Sequence, residues 1–367
     1  MATMIIDKQQ LNDQVSDQEI QERIIAAKAA LGKRVMILGH HYQRDEVFQH
    51  ADVSGDSLKL SRAAAASDAE YIVFCGVHFM AEVADIISRP DQVAILPDLA
   101  AGCSMADMAN LANVERAWRE LSEVLDAESS ITPVTYINSA ADLKAFCARH
   151  GGIVCTSTNA QSVLQWSFSQ KEKILFFPDQ HLGRNTGYNM DIPLDEMVVW
   201  DYDQPMGGLS AKEINNAKMI LWKGFCSVHQ MFKPEHIDRF KEKYPDGKVV
   251  SHPESSFEVC QKSDYVGSTE YIINVIHDSE PGSRWLVGTE LNLVNRLHEQ
   301  FKHEGKNVHF MSPMVCMCST MFRIDPLQLC KTLEALVEGR VINQIKVESQ
   351  EAEQARTALQ RMFDVSP

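Results

Sequence analysis

The sequence predicts an α/β protein whose short parallel sheets belong to three similar units. Short apolar runs typical of buried strands alternate with longer amphipathic stretches typical of helices. This alternation is the pattern of parallel sheets built from strand–helix units. The chain has 367 residues, which is more than one ordinary hydrophobic core holds, so two or three domains are expected. The order of the elements repeats coarsely in each third of the chain, which favours three domains.

The individual elements follow from the same pattern. The apolar runs predict strands over 34–39, 71–76, 93–97, 134–138, 152–157, 173–178, 219–224, 248–252, 263–267, 284–288 and 307–311. Helical patterns lie between these runs, as in "DSLKLSRAAAAS", "DLKAFCARH" and "STEYIINVIHD". Before the first strand, "IQERIIAAKAALG" predicts a helix that ends at Gly32. At the other end, "VESQEAEQARTALQRMF" predicts a helix that packs back on the body.

A cysteine follows a strand near the end of each third. "VAILPDLAAGC" ends at Cys103, "MILWKGFC" at Cys226 and "NVHFMSPMVC" at Cys316, and the motifs "GHHYQRDE", "FPDQHLGR" and "SHPESS" also follow strands. Ligands of open α/β sheets bind outside the carboxyl ends of the strands. We therefore expect three domains that direct one thiolate each at a common centre. The predicted domains are 1–115, 116–235 and 236–330, followed by a helical segment, 331–367.

Composition narrows the class of protein. An apolar content of 45% and a charged content of 23% are typical of a globular protein in water. The net charge of −15 argues against nucleic acid as a partner, because phosphate binding requires a basic surface. No segment has the roughly 20 consecutive apolar residues of a membrane helix. The start of the chain lacks the features of a signal peptide, so a cytoplasmic location is expected.

The nine cysteines do not form a disulfide pattern, because their number is odd and they are scattered. No CxxC pair is present, which argues against a zinc ribbon. A position inside a strand or helix pattern predicts a buried thiol for Cys75, Cys147, Cys155, Cys260 and Cys330. Three loop cysteines would hold a [4Fe–4S] cluster with one open iron, suited to Lewis-acid dehydration. Zinc bound by three thiolates is the competing possibility.

Ten stretches between about residue 35 and residue 330 carry a family resemblance. They are "GHHYQRDEVFQ", "GDSLKLSR", "GVHFMAE", "TYINSAADLKA", "CTSTNA", "PDQHLGRN", "GFCSVH", "HPES", "VGSTEYII" and "RIDP", in family order. The chain resembles the quinolinate synthase family, the iron–sulfur enzymes of de novo NAD biosynthesis. The resemblance implies three α/β/α domains around a pseudo-threefold axis, with a [4Fe–4S] cluster held by three cysteines at their junction.

The reaction that the resemblance implies is a condensation of iminoaspartate with dihydroxyacetone phosphate. The products are quinolinate, inorganic phosphate and two waters. The expected partners are therefore these two substrates, with a functional link to an aspartate-oxidising enzyme that supplies the unstable imine. Neither nucleic acid nor a membrane is an expected partner, and the oligomeric state cannot be inferred from the sequence.

The resemblance to the family implies which cysteines bind the cluster, one motif at a time. Cys103 in "AGCS" and Cys226 in "GFCSVH" match the first two family ligands. At the third, the family often has C-P-x-M-x-M-N, whereas this chain has "CMCSTMFRI". Alignment on "MFRI" predicts Cys316 as the third ligand, although the proline after it is missing. Cys318, two residues later, is the alternative.

Four residues match the family's reacting or substrate-contacting positions and are the predicted catalytic residues. Glu254 in "HPES" matches the main catalytic carboxylate, which would transfer protons near the open iron. Tyr42 and His40 in "GHHY" match residues that contact substrate. Tyr136 in "TYIN" matches a substrate-facing phenol, and Asn138 of the same motif matches a binding residue.

The remaining predicted binding residues suit an anionic ligand. The histidines are His229, three residues after Cys226, and His252 of "HPES". The hydroxyl residues each fall between a strand and a helix and also fit helix N-caps; they are Ser57, Ser157, Ser268 and Thr269. We assign no role to His41, where the family varies, or to Arg184, which fits a structural role equally well.

Two other functions remain open at this stage. The first is another cluster-dependent hydro-lyase that acts on a different acid, although "HPES" and "TYIN" argue against it. The second is a non-enzymatic iron–sulfur sensor. Such sensors usually carry a DNA-binding module, and the sequence shows no basic helix pair that would form one.

Overall fold

The computed structural model describes residues 16–314 and 317–366. Within these residues, fourteen strands form three separate sheets, and helices cover them. All strand pairs are parallel except one short pair. The predicted α/β class is therefore confirmed, whereas the pseudo-threefold relation between the three units stays a prediction.

The first sheet has five strands in the order β14-β4-β3-β1-β2. Its strands are β1 (Val35–His40), β2 (Val53–Gly55), β3 (Tyr71–Cys75), β4 (Val93–Ile95) and β14 (Gln344–Ile345). Every residue of β3 is buried, as expected for a strand covered on both faces. The late strand β14 pairs antiparallel with β4, so the end of the chain completes the first sheet.

The second sheet also has five strands, in the order β6-β5-β7-β9-β8. Its strands are β5 (Ile131–Tyr136), β6 (Ile153–Cys155), β7 (Lys173–Phe177), β8 (Met197–Trp200) and β9 (Met219–Trp222). Its apolar residues join those of the first sheet in one continuous core. The two units therefore share buried surface, which the hydrophobic effect stabilises.

The third sheet has four strands in the order β11-β10-β12-β13. Its strands are β10 (Lys248–Ser251), β11 (Tyr265–Val266), β12 (Arg284–Gly288) and β13 (Asn307–Phe310). Two smaller apolar clusters pack on this sheet, apart from the core of the other two. The predicted domain borders near residues 115 and 235 fall between the strands of successive sheets, and they stay a prediction.

Sixteen α-helices of the described residues cover the sheets. They are α1 (Asp17–Leu31), α2 (Asp45–Phe48), α3 (Ser57–Ala66), α4 (His78–Ile87), α5 (Leu111–Ser122), α6 (Ala127–Ser130), α7 (Ala141–Arg149), α8 (Ala160–Gln170), α9 (Gln180–Asn189), α10 (Ala211–Asn216), α11 (Pro234–Lys243), α12 (Phe257–Lys262), α13 (Thr269–His277), α14 (Leu291–Phe301), α15 (Pro326–Val337) and α16 (Ser349–Val365). None of them is long and apolar enough to cross a bilayer.

Capping residues explain where several helices begin and end. Asp56, Asp179 and Ser268 each accept a backbone N–H from the first turn of the helix that follows. Gly32 ends α1 as predicted, with a φ of 55° that a residue without Cβ adopts at low cost. Because Asp56, Asp179 and Ser268 lie between strand ends and helix starts, the caps also orient loops at the carboxyl edges of the sheets.

The C-terminal helix α16 packs against the second unit. Its buried side chains are Ala355, Ala358, Leu359 and Met362, and they lie against α7 and β6. Arg361 also donates to the backbone oxygen of Gly152, at 2.6 Å. The end of the chain therefore connects two units, because β14 completes the first sheet and α16 covers the second.

A single truncation in α16 tests this connection. Leu359→Ala removes a fully buried side chain, and we expect the free energy of unfolding to fall by about 2–5 kcal/mol. The exposed neighbour provides a control, since Gln360→Ala should change stability by less than about 0.5 kcal/mol. Denaturant melts of both variants measure the difference. Equal stabilities of the two variants would show that α16 does not pack as described.

Candidate active site

A cavity lies where loops of the three units meet. Most of the residues predicted for catalysis and binding line it: His40, Tyr42, Ser57, Cys103, Tyr136, Asn138, Ser157, Cys226, His229, His252, Glu254 and Thr269. Ser268 lies beside them as the N-cap of α13. The fold therefore brings together side chains that are up to 229 positions apart, as the span from His40 to Thr269 shows.

The ends of the parallel strands explain this convergence. His40 is the last residue of β1, Tyr136 is the last residue of β5, and His252 directly follows β10. Cys226 follows β9 after a short loop. Ligand sites of parallel sheets form at the carboxyl ends of strands, and here three sheets direct those ends at one cavity.

Three thiols line the cavity, on loops of the three units: Cys103, Cys226 and Cys318. Burial raises the pKa of Cys103 to about 12, and it raises the pKa of Cys226 well above its usual value. The neighbouring thiols raise both values further. Buried thiolates need a cation beside them, because burial penalises the charged form. A soft metal group supplies such a cation, so the donor set fits one.

Cys316, the predicted third ligand, lies outside the described residues. The alternative, Cys318, is partly buried on the cavity wall. Its backbone N–H is held by the carboxylate of Glu290, and its sulfur lies 3.4 Å from the hydroxyl of Thr320. Cys318 therefore lines the same cavity as Cys103 and Cys226.

A buried carboxylate stands at the centre of the polar groups. Tyr136 donates to Oε1 of Glu254 at 2.6 Å, and Nδ1 of His229 lies 3.1 Å from Oε2. His252 lies 3.8 Å from Oε1 and stacks on His229, with ring centroids 4.8 Å apart. Burial opposes ionisation of Glu254, but the imidazoles and the Tyr136 hydrogen bond outweigh it and lower its pKa to about 2. Glu254 is therefore a carboxylate at neutral pH.

Burial favours the neutral forms of His40, His252, Tyr42 and Tyr136. Burial lowers the pKa of His40 and of His252 to about 3, although Glu254 opposes this. Burial and the charge of Glu254 raise the pKa of Tyr136 well above its usual value. The phenol of Tyr42 has a pKa raised by burial and contacts the hydroxyls of Thr289 at 2.9 Å and Thr269 at 3.2 Å. The phenols are therefore donors, and His40 and His252 are uncharged at neutral pH.

The rim of the cavity carries hydroxyls and helix starts. Ser57 and Thr269 are the first residues of α3 and α13. Asp56, the cap of α3, also accepts a hydrogen bond from Thr158 at 2.7 Å, which joins the first and second units. Helix starts present free N–H groups and the positive end of the helix dipole, both of which favour an anion.

Two residues that the sequence analysis did not single out support the site. Asn185, of the motif "PDQHLGRN", donates to the backbone oxygens of Pro253 and Ser255 at 2.8 and 2.9 Å, on either side of Glu254. Glu290 lines the cavity, and burial raises its pKa to about 7. Its place two residues after β12 was a usable signal, because the other strand ends had already supplied candidates.

The two residues left unassigned lie outside the cavity lining. His41 contacts the carboxylate of Glu270 at 2.9 Å, between the first and third units. Arg184 contacts Gln180 at 3.3 Å within α9. Both contacts are structural, and neither brings the side chain to the cavity wall.

Comparison with known proteins gives the family. The profile of the family described as Quinolinate synthetase A protein matches residues 22–364. The chain belongs to the quinolinate synthase family. It is 53% identical over 363 residues to the quinolinate synthase of Rhodopirellula baltica, covering 96% of this chain and 92% of that one. It is 55% identical over 356 residues to that of Nocardioides sp., covering 95% and 90%. The family predicted from the ten motifs is confirmed.

The asparagine that supports Glu254 gives a test of the site geometry. Asn185→Ala removes the amide donor of two buried backbone oxygens, and we expect a loss of about 1–3 kcal/mol in the free energy of unfolding. Asn189→Ala, one turn later on the exposed side of α9, is the matched control and should change stability little. If both variants unfold at the same denaturant concentration, Asn185 does not hold the Glu254 loop.

Proposed function

We propose that this chain is a quinolinate synthase that condenses iminoaspartate with dihydroxyacetone phosphate to quinolinate, phosphate and water. The observation that carries the proposal is one cavity holding three thiols next to an ionised carboxylate, Glu254. The family membership supports the same reaction. The substrates are anions, and the helix starts on the cavity rim suit anions.

The proposed cofactor is a [4Fe–4S] cluster with three protein ligands. Among the described residues, no lysine or arginine lines the cavity, so the charge of three thiolates needs a bound metal group. Such a cluster leaves one iron free to act as a Lewis acid on a substrate oxygen. Cys103 and Cys226 are the first two proposed ligands.

For the third ligand we propose Cys318. Its support is its position on the same cavity wall as Cys103 and Cys226 and the hold of Glu290 on its backbone. Cys316, the ligand predicted by alignment, is then a neighbouring thiol two residues earlier. Single substitutions distinguish between Cys318 and Cys316 as the third ligand.

The chain's own groups supply the proton transfers. Glu254 is ionised at neutral pH and acts as the base toward a carbon-bound proton of the substrate. Tyr136, at 2.6 Å from Glu254, keeps its proton at neutral pH, gives it to a departing hydroxyl, which leaves as water, and then regains from Glu254 the proton taken from carbon. His40 and Tyr42 orient the substrate on the opposite wall. The apolar side chains of Val77, Phe79 and Met105 keep bulk water from this exchange.

The anionic ends of the substrates bind at the rim and beside the two imidazoles. Ser57, Ser157, Ser268 and Thr269 offer hydroxyls and backbone N–H groups to phosphate or carboxylate. Asn138 has a buried side-chain oxygen without a partner among the described residues, and its amide is available to the ligand. His229 and His252 hold a carboxylate close to Glu254.

The cellular setting belongs to the same proposal. The eight cysteines of the described residues are all free thiols, which suits the reducing cytoplasm. A reaction that starts from an unstable imine needs an aspartate-oxidising enzyme to supply it. That link is functional and requires no contact surface on this chain.

Cysteine substitutions test the ligand set. Cys103→Ala, Cys226→Ala and Cys318→Ala should each lose the cluster and the activity, because each removes a ligand. Cys316→Ala should keep both, and Cys330→Ala, fully buried in the core, is a control for the loss of a thiol. Iron, sulfide and visible absorption are measured after anaerobic purification. A cluster that survives Cys318→Ala but not Cys316→Ala would make Cys316 the ligand.

A second substitution tests the base. Glu254→Gln keeps the shape and the hydrogen bond from Tyr136 but cannot accept a proton. We expect the iron and sulfide content to stay the same and kcat to fall by about 10²–10⁴-fold. Glu258→Gln, exposed on the neighbouring helix α12, should keep full turnover. Unchanged turnover of Glu254→Gln would exclude Glu254 as the base.

A further inference from the structure

A second arrangement of metal donors exists inside the cavity. The ligand atoms of Cys226, His229 and Glu254 all lie within 4.8 Å of one another. This set contains one thiol, one imidazole and one carboxylate, and it includes only one of the three thiols proposed for the cluster. It is therefore a different binding site that shares Cys226.

The local backbone brings the first two donors together. A 3₁₀ turn begins at His229, and the backbone N–H of Gln230 donates to the oxygen of Cys226 at 3.1 Å. That bond closes one turn of chain over residues 226–230, in which residues three apart lie on the same face. The spacing Cys-x-x-His therefore forms a local chelate, and no movement of the sheets is needed to assemble it.

The imidazole of His229 points to a missing partner. Its side chain is 1% exposed, yet neither ring nitrogen has a hydrogen-bond partner among the described residues. Nδ1 lies 3.1 Å from Oε2 of Glu254, but the two atoms are not aligned as a hydrogen bond. A buried ring nitrogen without a partner is costly, and a cation between the two groups would satisfy both.

The carboxylate of Glu254 is also oriented to bind a cation. Tyr136 bonds Oε1 of Glu254, which leaves Oε2 on the side of His229. His252 stacks on the ring of His229 and fixes its plane. Groups that orient metal ligands in this way are a regular feature of metal sites. One thiolate and one carboxylate also balance the charge of a divalent ion.

We propose that the chain without its cluster binds one divalent ion of the Zn²⁺ type through Cys226, His229 and Glu254. Three protein ligands of these kinds, with water as the fourth, form an ordinary tetrahedral zinc site. Because the ion and the cluster both need Cys226, each excludes the other. The mutual exclusion of ion and cluster rests on the proposed function, whereas the binding of the ion does not.

Cobalt(II) is the probe for this site, since it replaces zinc and shows its ligands in the absorption spectrum. Cluster-free full-length chain is titrated with Co²⁺ without oxygen, and Zn²⁺ is added afterwards. We expect one Co²⁺ per chain, tetrahedral visible bands, a near-ultraviolet band from one thiolate, and loss of all bands with Zn²⁺. A band of three-thiolate intensity, or no stoichiometric binding, would overturn the proposal.

Variants separate this site from a site made of three cysteines. Cys226→Ser should abolish the thiolate band, and His229→Gln and Glu254→Gln should each weaken Co²⁺ binding by about tenfold or more. Cys103→Ser and Cys318→Ser should bind Co²⁺ like the unaltered chain. Circular dichroism of each variant confirms the fold. Weakened binding in Cys103→Ser or Cys318→Ser contradicts the proposed ligand set.

Cluster assembly tests the exclusion. Chain preloaded with one equivalent of Zn²⁺ should take up no iron and sulfide until a chelator removes the zinc. Equal uptake with and without Zn²⁺ would overturn the exclusion. If the zinc-free chain takes up no cluster either, the proposed cofactor fails, while the Co²⁺ titration still decides the ion site.

Discussion

The hydrogen bond between Tyr136 and Glu254 joins two units at the position where a small change in their geometry is most costly. Tyr136 ends a strand of the second sheet, and Glu254 follows a strand of the third. Both side chains are buried. An ionised carboxylate in such a place is costly unless donors surround it. The relative position of the two sheets must therefore keep these donors in reach, and Asn185 holds the loop that does so.

The first unit is attached to the third by a comparable set of contacts. Arg296 of α14 donates to the backbone oxygens of His41 and Gln43, at 3.0 and 2.7 Å, and pairs with Asp45. Its planar guanidinium suits such multiple contacts. The loop that it holds carries Tyr42, whose hydroxyl contacts Thr269 and Thr289 of the third unit. The substrate-facing wall is thus built from interfaces between units, which explains why no single unit contains the site.

The sequence predicted the main strands of this fold but not all of its edge strands. Strands such as 284–288 were located at their observed ends, because a run of apolar residues between turns has few alternatives. The short edge strands Val53–Gly55 and Gln344–Ile345 were missed. Their pairing depends on neighbours far away in the chain, as for β14 on β4.

The residues of the candidate site were likewise predicted only in part. His40, Tyr136 and Glu254 could be named because their motifs match those of the family, and all three line the cavity. Asn185 and Glu290 escaped notice because their roles lie in contacts with Pro253, Ser255 and Cys318. Such contacts exist only once the units are packed. The choice between Cys316 and Cys318 is of this kind too, since a spacing of two residues in a loop sets no direction for either thiol.

Some buried polar atoms of the cavity have no hydrogen-bond partner among the described residues, which lowers stability at the site of function. Among the described residues they include Oδ1 of Asn138 and both ring nitrogens of His229, and both side chains line the cavity. Each such atom lowers the stability of the fold, by about 1–3 kcal/mol in typical proteins. A chain without a ligand would gain by replacing these side chains with apolar ones of similar shape. Their presence around Glu254 and Cys226 means that the cavity is built for bound groups that supply the missing partners.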